Sequence, residues 1–483
     1  MIKKFLVKYN SLSCLVKAGI WFTLCNFLQK GISFLTMPIF TRIMTTEEYG
    51  QYSVYNSWYS IITIFATLHL SYYVFNKGLV KYEEDRDRFV VSIQSLSTTL
   101  TAALFILYVV FRDTVNMYMG MTTTMMVCMM VQLLFEPSIL YWTARKRFEY
   151  DYRAVVFITL LISILNPVLG IIIIKSGLFN NAALGRAFSI TVIALMLGSF
   201  FMVQITKRAK KIYSVKYWKY ALNFNLPLIP HYLSTTILSS ADRIMIERMC
   251  GTTKAAIYSV AYSVGMCGTL FSQAIHQTLL PWLYKKMKNN EYDGIPQVTN
   301  TLLFGMLGIV LMMMCFAPEI IYIVGSSSYQ EAVCVMPPVC GSIFFIFLQN
   351  IFANFEYYFE KTKLIAVASV GVAVANVVLN YFCIQVWGYV AAGYTTLVCY
   401  ILYAIVHYFV LKRICRNYHL DMSKIINKKI VLFISVLTVG IIIIVTFLYR
   451  SVVLRYAVIG AVSVLCVLLR KRLVDLYIQL KKD

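Results

Sequence analysis

The 483 residues are 60% hydrophobic and only 13% charged, with a mean hydropathy of +0.71, whereas about a quarter of the residues in a soluble domain are charged. That balance excludes a water-soluble globular chain. The net charge of +23 does not indicate nucleic acid either, because Lys and Arg sit in short clusters between apolar runs rather than along one groove-sized face.

The chain opens with Lys3, Lys4 and Lys8 before an apolar segment, as a secretory signal does. Lys8 and Asn10 interrupt that segment and no Ala-x-Ala site follows, so the first span is expected to be retained. A bilayer core of about 30 Å needs about 20 helical residues per crossing, because hydrocarbon offers backbone groups no partner outside a helix or closed barrel. Segments of that length lie at 18–40, 51–76, 89–111, 117–141, 153–174, 182–205, 218–240, 255–282, 297–324, 332–357, 364–386, 389–411, 430–449 and 452–469. They predict an all-α polytopic membrane protein of about fourteen transmembrane helices. The segments between them are too short for a nucleotide-binding or soluble catalytic domain.

With the N-terminus inside, 34 of the 44 Lys and Arg residues fall in inner segments and nine in outer loops, namely Arg42, Arg112, Lys175, Arg186, Arg243, Arg248, Lys254, Arg450 and Arg455, leaving Lys30 alone within a span. The positive-inside rule then places both termini in the cytoplasm. The twelve cysteines include no Cys-x-x-Cys pair and read as small hydrophobes, not as disulfides or metal ligands.

After span 1 come Arg42-Ile43-Met44 and Tyr52-Ser53-Val54, with Ser57 opening span 2. After span 7 come Arg243-Ile244-Met245 and Tyr258-Ser259-Val260, with Ser263 opening span 8. Two matches in the same order at the same topological place predict a six-span unit used twice. The domains are then residues 1–206 (spans 1 to 6), 207–412 (spans 7 to 12) and 413–483 (spans 13 and 14 with a cytoplasmic amphipathic tail). An even number of spans gives both copies the same orientation, which makes the cleft between the halves the natural ligand site.

The stretch Asn26 to Ser57, with Pro38, Thr41, Arg42, Glu48, Tyr49 and Gly50, and the stretch Asp242-Arg243 through Gly251 to Tyr258-Ser259-Val260 resemble those of the O-antigen and capsule repeat-unit flippases. These are Wzx-type proteins of the multidrug, oligosaccharidyl-lipid and polysaccharide exporter superfamily, and the likeness covers most of the chain. It implies a V-shaped pair of six-helix lobes that open alternately to either side, carrying an undecaprenyl-pyrophosphate-linked glycan through the bacterial inner membrane. It also implies structural roles for Asp242, Gly251 and Tyr258. A polysaccharide polymerase or chain-length regulator is the protein partner such a carrier would have; no cofactor, metal or catalytic residue is expected.

Lys30 sits near the middle of span 1, where an ammonium costs from roughly 3 to over 10 kcal/mol, so it faces a wet cavity or a partner unless it snorkels. Asn26, Lys30, Ser33 and Met37 share one helix face, as do Tyr52, Tyr55, Asn56, Tyr59 and Thr63 on span 2. Asn223, Pro227, His231 and Ser234 on span 7, and Ser259, Tyr262, Ser263, Thr269, Gln273, His276 and Gln277 on span 8, form the corresponding stripes. Such stripes either line a cleft or join helices, at about 0.6 kcal/mol per contact, and spacing leaves both readings open.

For a pyrophosphate head the candidate cations are Lys30, Arg42 and Arg243. Asn26, Tyr55, Tyr59, His231, Tyr262, Gln273 and His276 are candidates for the sugar. Asp242 beside Arg243 is either an ion pair that orients the guanidinium or an exposed loop pair worth little, and the resemblance favours a structural role at the helix end. Glu136 in span 4 and Glu356 in span 10 are candidates for a coupling proton or sodium ion. Pro227, Pro230, Pro281, Pro318 and Pro337-Pro338 permit bending. Asp85-Arg86-Asp87 has the look of a glycosyltransferase metal site but lies in a mixed charge run, which reads as a loop. Leu473, Leu476, Tyr477 and Leu480 against Lys471, Arg472, Lys481 and Lys482 suit the anionic inner leaflet.

Three rival functions follow from the same features. A cation-coupled multidrug antiporter would want acids deep in the first lobe, where Glu136 is the one good acid. A lipid-linked peptidoglycan-precursor flippase fits the architecture equally. A membrane glycan polymerase would need a sizeable outer loop.

Overall fold

A computed structural model describes residues 13–209 and 211–482, the side chains of 362, 363, 466 and 469–482 excepted. Lys3, Lys4 and Lys8 and the amphipathic tail pattern from Arg470 onward therefore lie outside the described side chains. The described residues form helices α1 (Cys14–Ile43), α2 (Thr46–Thr67), α3 (Tyr73–Lys81), α4 (Arg86–Val110), α5 (Arg112–Met119), α6 (Thr123–Phe148), α7 (Tyr152–Lys175), α8 (Ala182–Thr206), α9 (Val215–Asn225) and α10 (Ile229–Cys250). They continue with α11 (Thr252–Met266), α12 (Thr269–Lys288), α13 (Ile295–Cys315), α14 (Ala317–Val324), α15 (Met336–Tyr358), α16 (Thr362–Trp387), α17 (Ala391–Asn417), α18 (Lys428–Leu448) and α19 (Val452–Lys482).

The chain divides into two compact units, residues 1–236 and 237–483, with the boundary inside α10. In the first unit α6 packs most extensively on α8 and α1 on α7; in the second, α15 packs on α17 and α17 on α16. Among the described residues, ten helical segments are long and apolar enough to cross a membrane. The other four predicted spans fall on α1, α2, α9 with α10, and α19. The first three carry the polar stripes that lower their apolarity, and α19 is described with its side chains only in part.

Several predicted spans are interrupted. Span 2 stops at Thr67, where Leu68 and His69 both take left-handed conformations (φ 48° and 49°). Span 7 breaks at a 3-10 turn, Leu226–Leu228, that holds Pro227, and then runs on to Cys250. Proline removes a backbone donor there, and the buried Asn225 amide donates across to the Leu68 carbonyl, so one break satisfies the other. Span 8 breaks between α11 and α12, and span 9 gives way to the separate helix α14.

Helix starts are specified by local chemistry. Thr45 and Glu48 form a reciprocal capping box on α2, with Thr45 N donating to Glu48 Oε2 at 2.9 Å and Glu48 N donating to Thr45 Oγ1 at 3.2 Å. The other carboxylate oxygen of Glu48 accepts from Ala182 N at 2.7 Å, at the start of α8. One carboxylate thus sits at two helix N-termini, where backbone N–H groups lack intrahelical partners. Close packing needs glycine at Gly198, where an added Cβ would lie 2.4 Å from the Phe135 carbonyl oxygen. Where α9 joins α3 and α4, Phe75, Phe89, Tyr141, Trp142, Phe201 and Tyr217 form one aromatic core.

Replacing Glu48 with Ala removes both caps at once. At about 1 kcal/mol per cap, we expect the thermal midpoint of the detergent-purified protein to fall by several degrees, read by intrinsic fluorescence; an unchanged midpoint would show that the caps contribute nothing.

Candidate functional site

Polar side chains in the first unit divide into an outward stripe and interior networks. On α1, Ala18, Cys25 and Phe40 are buried, whereas Asn26, Lys30 and Ser33 are exposed. Lys30 therefore points away from the residues that pack. Arg42, predicted in an outer loop, lies in the last turn of α1 and donates from Nη1 to the Pro38 carbonyl at 2.9 Å.

The span 2 stripe instead faces α6. Tyr55 is fully buried and donates to Gln132 Oε1 at 3.2 Å; Gln132 Nε2 donates to Glu136 Oε2 at 2.8 Å, and Tyr59 donates to the same oxygen at 2.6 Å. Two residues four apart on each helix interlock because i and i+4 share a face. The half-buried Glu136 carboxylate is held by neutral donors and forms no ion pair among the described residues. Tyr55 touches other helices, not open space, because its ring fills the interface between α2 and α6.

A second interior node surrounds Arg186, which was expected in an outer loop but is 9% exposed on α8. Its Nη1 donates to the Asn166 carbonyl and Oδ1, both at 2.8 Å, and to Ser189 Oγ at 3.1 Å. The guanidinium lies 4.4 Å over the Phe40 ring and 5.6 Å over that of Tyr52. Gly170 leaves it room, since a Cβ there would meet Nη1 at 2.7 Å. No carboxylate neutralises it among the described residues; amide oxygens and ring faces take that part.

In the second unit the corresponding node carries the opposite charge. Asp242 is neither paired with Arg243 nor in an exposed loop: it lies inside α10, 1% exposed. Its Oδ2 accepts from Tyr258 at 2.5 Å and Thr396 at 2.9 Å, and its Oδ1 accepts from Asn380 at 2.6 Å. Asn376 and Thr395 complete the cluster. Hydroxyl and amide donors from α11, α16 and α17 thus converge on one carboxylate of α10. The two nodes share a register. Tyr52 and Tyr258 are each the seventh residue of their helices, Asn166 and Asn376 the fifteenth, and Arg186 and Thr395 the fifth.

Arg243 is half-buried in α10, donates to the Ser239 carbonyl at 2.8 Å and stacks 4.6 Å over Tyr262. The Tyr262 hydroxyl is buried without a hydrogen bond among the described residues. Gly251, between α10 and α11, has φ 91° and ψ 163°, a conformation essentially confined to glycine. On α12, Gln273 is exposed and His276 meets Asn354 Oδ1 at 2.7 Å. His231 on α10 is half-buried, its ring 6.0 Å from that of Tyr232.

Glu356 is fully buried, and its Oε1 lies 2.6 Å from Nδ1 of the equally buried His407, whose Nε2 faces Gln349 at 3.2 Å. Arg455, also expected in an outer loop, is buried and grips Glu319 with both terminal nitrogens, at 2.6 and 2.5 Å. In the Asp85-Arg86-Asp87 run, Asp85 accepts from Tyr217 at 2.6 Å and Asp87 pairs with Arg145. Nearby, the Lys146 ammonium holds the Asp151 carboxyl below its usual range.

Sequence reasoning missed Arg186, Gln132, Asn376, Asn380, Thr395, Thr396 and His407. A polar residue inside an apolar span was the available signal. Extending the tyrosine repeat to helix positions in spans 5, 6, 11 and 12 would have found the node members.

These long apolar helices define a multi-pass membrane protein. The chain belongs to the polysaccharide biosynthesis protein family, whose model matches residues 15–287. It is 22% identical over 358 residues to Lsg locus putative protein 1 of Haemophilus influenzae, covering 71% of this chain and 84% of that one. It is 21% identical over 400 residues to the probable low-salt glycan biosynthesis flippase Agl15 of Haloferax volcanii, covering 81% and 82%. The fold matches that of the lipid II flippase MurJ in an inward closed conformation, with TM-score 0.67 and 12% identity over 91% of this chain and all of that one. It also matches an inward-facing MATE-family multidrug transporter of the MOP superfamily, with TM-score 0.59 and 14% identity over 80% and 94%.

Substituting Asp242 by Asn puts an amide NH₂ against groups that already donate, and Ala leaves three buried donors unpaired, each at about 1–3 kcal/mol. Both variants should lower the thermal midpoint of the purified protein by several degrees, Ala more than Asn. A midpoint equal to wild type in both would remove Asp242 from its structural role.

Proposed function

We propose that this protein is a flippase that carries undecaprenyl-pyrophosphate-linked oligosaccharide repeat units across the bacterial cytoplasmic membrane by alternating access, for O-antigen, capsule or exopolysaccharide synthesis. Both termini are cytoplasmic in this reading, which puts the Lys- and Arg-rich segments between spans on the inner side. The observation that carries it is the exposed Asn26, Lys30 and Ser33 stripe on α1, in a chain of the polysaccharide biosynthesis family. A lysine on that stripe is tolerated in a membrane helix when it meets water or an anion. The resemblance to a glycan biosynthesis flippase and the MurJ-like fold supply the substrate class.

In this mechanism Lys30, Arg42 and Arg243 receive the pyrophosphate, Lys as a point charge and Arg as a fork. The Arg243 guanidinium is held between the Ser239 carbonyl of its own helix and the Tyr262 ring face. Asn26, Gln273 and His276 offer hydrogen bonds to sugar hydroxyls. His231 and Tyr59 contribute from half-buried positions, and Tyr55 orients the Tyr59–Glu136 pair from behind through Gln132. Glu136, surrounded by neutral donors, and Glu356, paired with His407, are the groups able to trade a proton as the bundles rearrange. No covalent bond is made or broken, so the protein is not an enzyme in this reading. A polysaccharide polymerase or chain-length regulator would take the product.

The test is deletion of the gene in its host with sided labelling of undecaprenyl-pyrophosphate glycans and restoration from a plasmid. Finished repeat units should accumulate on the cytoplasmic face. Normal surface glycan with lost resistance to cationic dyes would instead establish drug antiport. In the restored strain, Lys30→Ala and Arg243→Ala should each cut export by at least tenfold while membrane insertion is unchanged. Normal export by either variant removes that residue from the site.

A further inference from the structure

Helices α3 and α9 build a shelf at a Lys- and Arg-rich end of the first unit. Its surface is a set of ring faces: Tyr82 lies edge-on to Tyr217, with centroids 4.7 Å apart, and to Tyr220 at 5.4 Å, and Tyr220 leads to Phe224 at 6.4 Å. The shelf is anchored from behind. Tyr217 is buried and donates to Asp85 at 2.6 Å, and the Trp218 indole donates to the Ser92 carbonyl at 2.8 Å.

Three exposed lysines stand on these rings. Lys81 Nζ lies 4.7 Å over Tyr220 and 5.6 Å over Tyr82, Lys216 Nζ lies 5.2 Å over Tyr82 and 5.7 Å over Tyr217, and Lys77 Nζ lies 5.2 Å over Phe224. Lys81 and Lys216 share one ring, so their ammoniums are within about 11 Å of each other. Two of the neighbouring acids are engaged elsewhere, Glu83 with Arg86 at 2.8 Å and Asp85 with Arg88 at 3.7 Å besides Tyr217, while the exposed Glu84 offsets part of the lysine charge. None of the three lysines forms an ion pair among the described residues. Like charges gathered on one aromatic surface repel, and an anion carrying more than one charge relieves that repulsion while the rings hold the ammoniums in place.

We propose that Lys77, Lys81 and Lys216 on the Tyr82, Tyr217, Tyr220 and Phe224 shelf bind the phosphate headgroup of a lipid at the cytoplasmic membrane face. The inference rests on the flippase reading for that side and for one of its two sources, the diphosphate of the lipid-linked substrate; the other source is an anionic phospholipid of the bilayer. Unlike the stripe on α1, which is exposed along a span, this shelf lies at helix ends, where a headgroup meets the protein before any crossing.

The experiment uses the full-length protein in phosphatidylcholine nanodiscs supplied with undecaprenyl diphosphate or phosphatidylglycerol, with retained lipid counted by native mass spectrometry. Lys81→Gln with Lys216→Gln should reduce retention at least tenfold. Tyr82→Phe, which keeps the ring, should retain lipid as wild type does, and so should Lys207→Gln with Lys211→Gln, which removes equal charge away from the rings. Loss confined to undecaprenyl diphosphate assigns the shelf to the substrate, and loss of phosphatidylglycerol assigns it to a bilayer lipid. Retention of both lipids by the Lys81 and Lys216 variant, with an unchanged thermal midpoint, overturns the proposal. That result leaves the flippase standing, whereas a gene deletion that leaves glycan sidedness normal overturns the flippase whatever the shelf binds.

Discussion

A polar group in a bundle of apolar helices has no water to fall back on, and the rest of this structure depends on how that constraint is met. Leaving a buried donor or acceptor unpaired costs more than a made hydrogen bond returns. Helices that carry Asp242, Arg186 or Glu136 therefore pack only in registers that bring partners to them. Asp242 collects Tyr258, Asn380 and Thr396 from three other helices, which joins α10, α11, α16 and α17 at one depth. Arg186 does the same in the first unit with Asn166, Ser189 and two ring faces.

The two nodes occupy the same helix positions with opposite charge. Divergence at one site of the repeat, Arg186 against Thr395, supplies the first unit with a cation of its own. The second unit holds a carboxylate solvated by neutral groups. That carboxylate only accepts hydrogen bonds, whereas the Arg186 guanidinium only donates them, so each node selects neighbours of the opposite kind. The two units thus carry nodes at matching helix positions that differ in electrostatics.

Interior nodes and outward stripes divide the labour. Residues consumed in packing, among them Tyr55, Asp242 and Tyr258, set the shape of each bundle. Lys30, Asn26 and Gln273 keep their polar atoms exposed and remain available to a ligand. Arg243 stands between these groups, half-buried and braced by a carbonyl and a ring, as a cation must be to meet an anion without large loss of side-chain entropy.

By itself the sequence determined the all-helical class and most of the segments able to cross a membrane. These follow from apolar length and from local order, which need no knowledge of neighbours. Glu48 and Gly251 were legible as motif members for the same reason, since a capping box and a left-handed glycine are local devices. Tertiary structure alone decided which polar residues pair. A span shows the face on which Tyr55 or Asp242 lies but not the helix opposite, so one stripe reads equally as cavity wall or helix contact. Arg186 and Arg455 read as loop cations because charge at a span end is ordinarily solvated. Folding instead brought Arg186 the Asn166 side chain of the preceding helix and Arg455 the Glu319 carboxylate of a helix distant in sequence, and those partners made burial affordable.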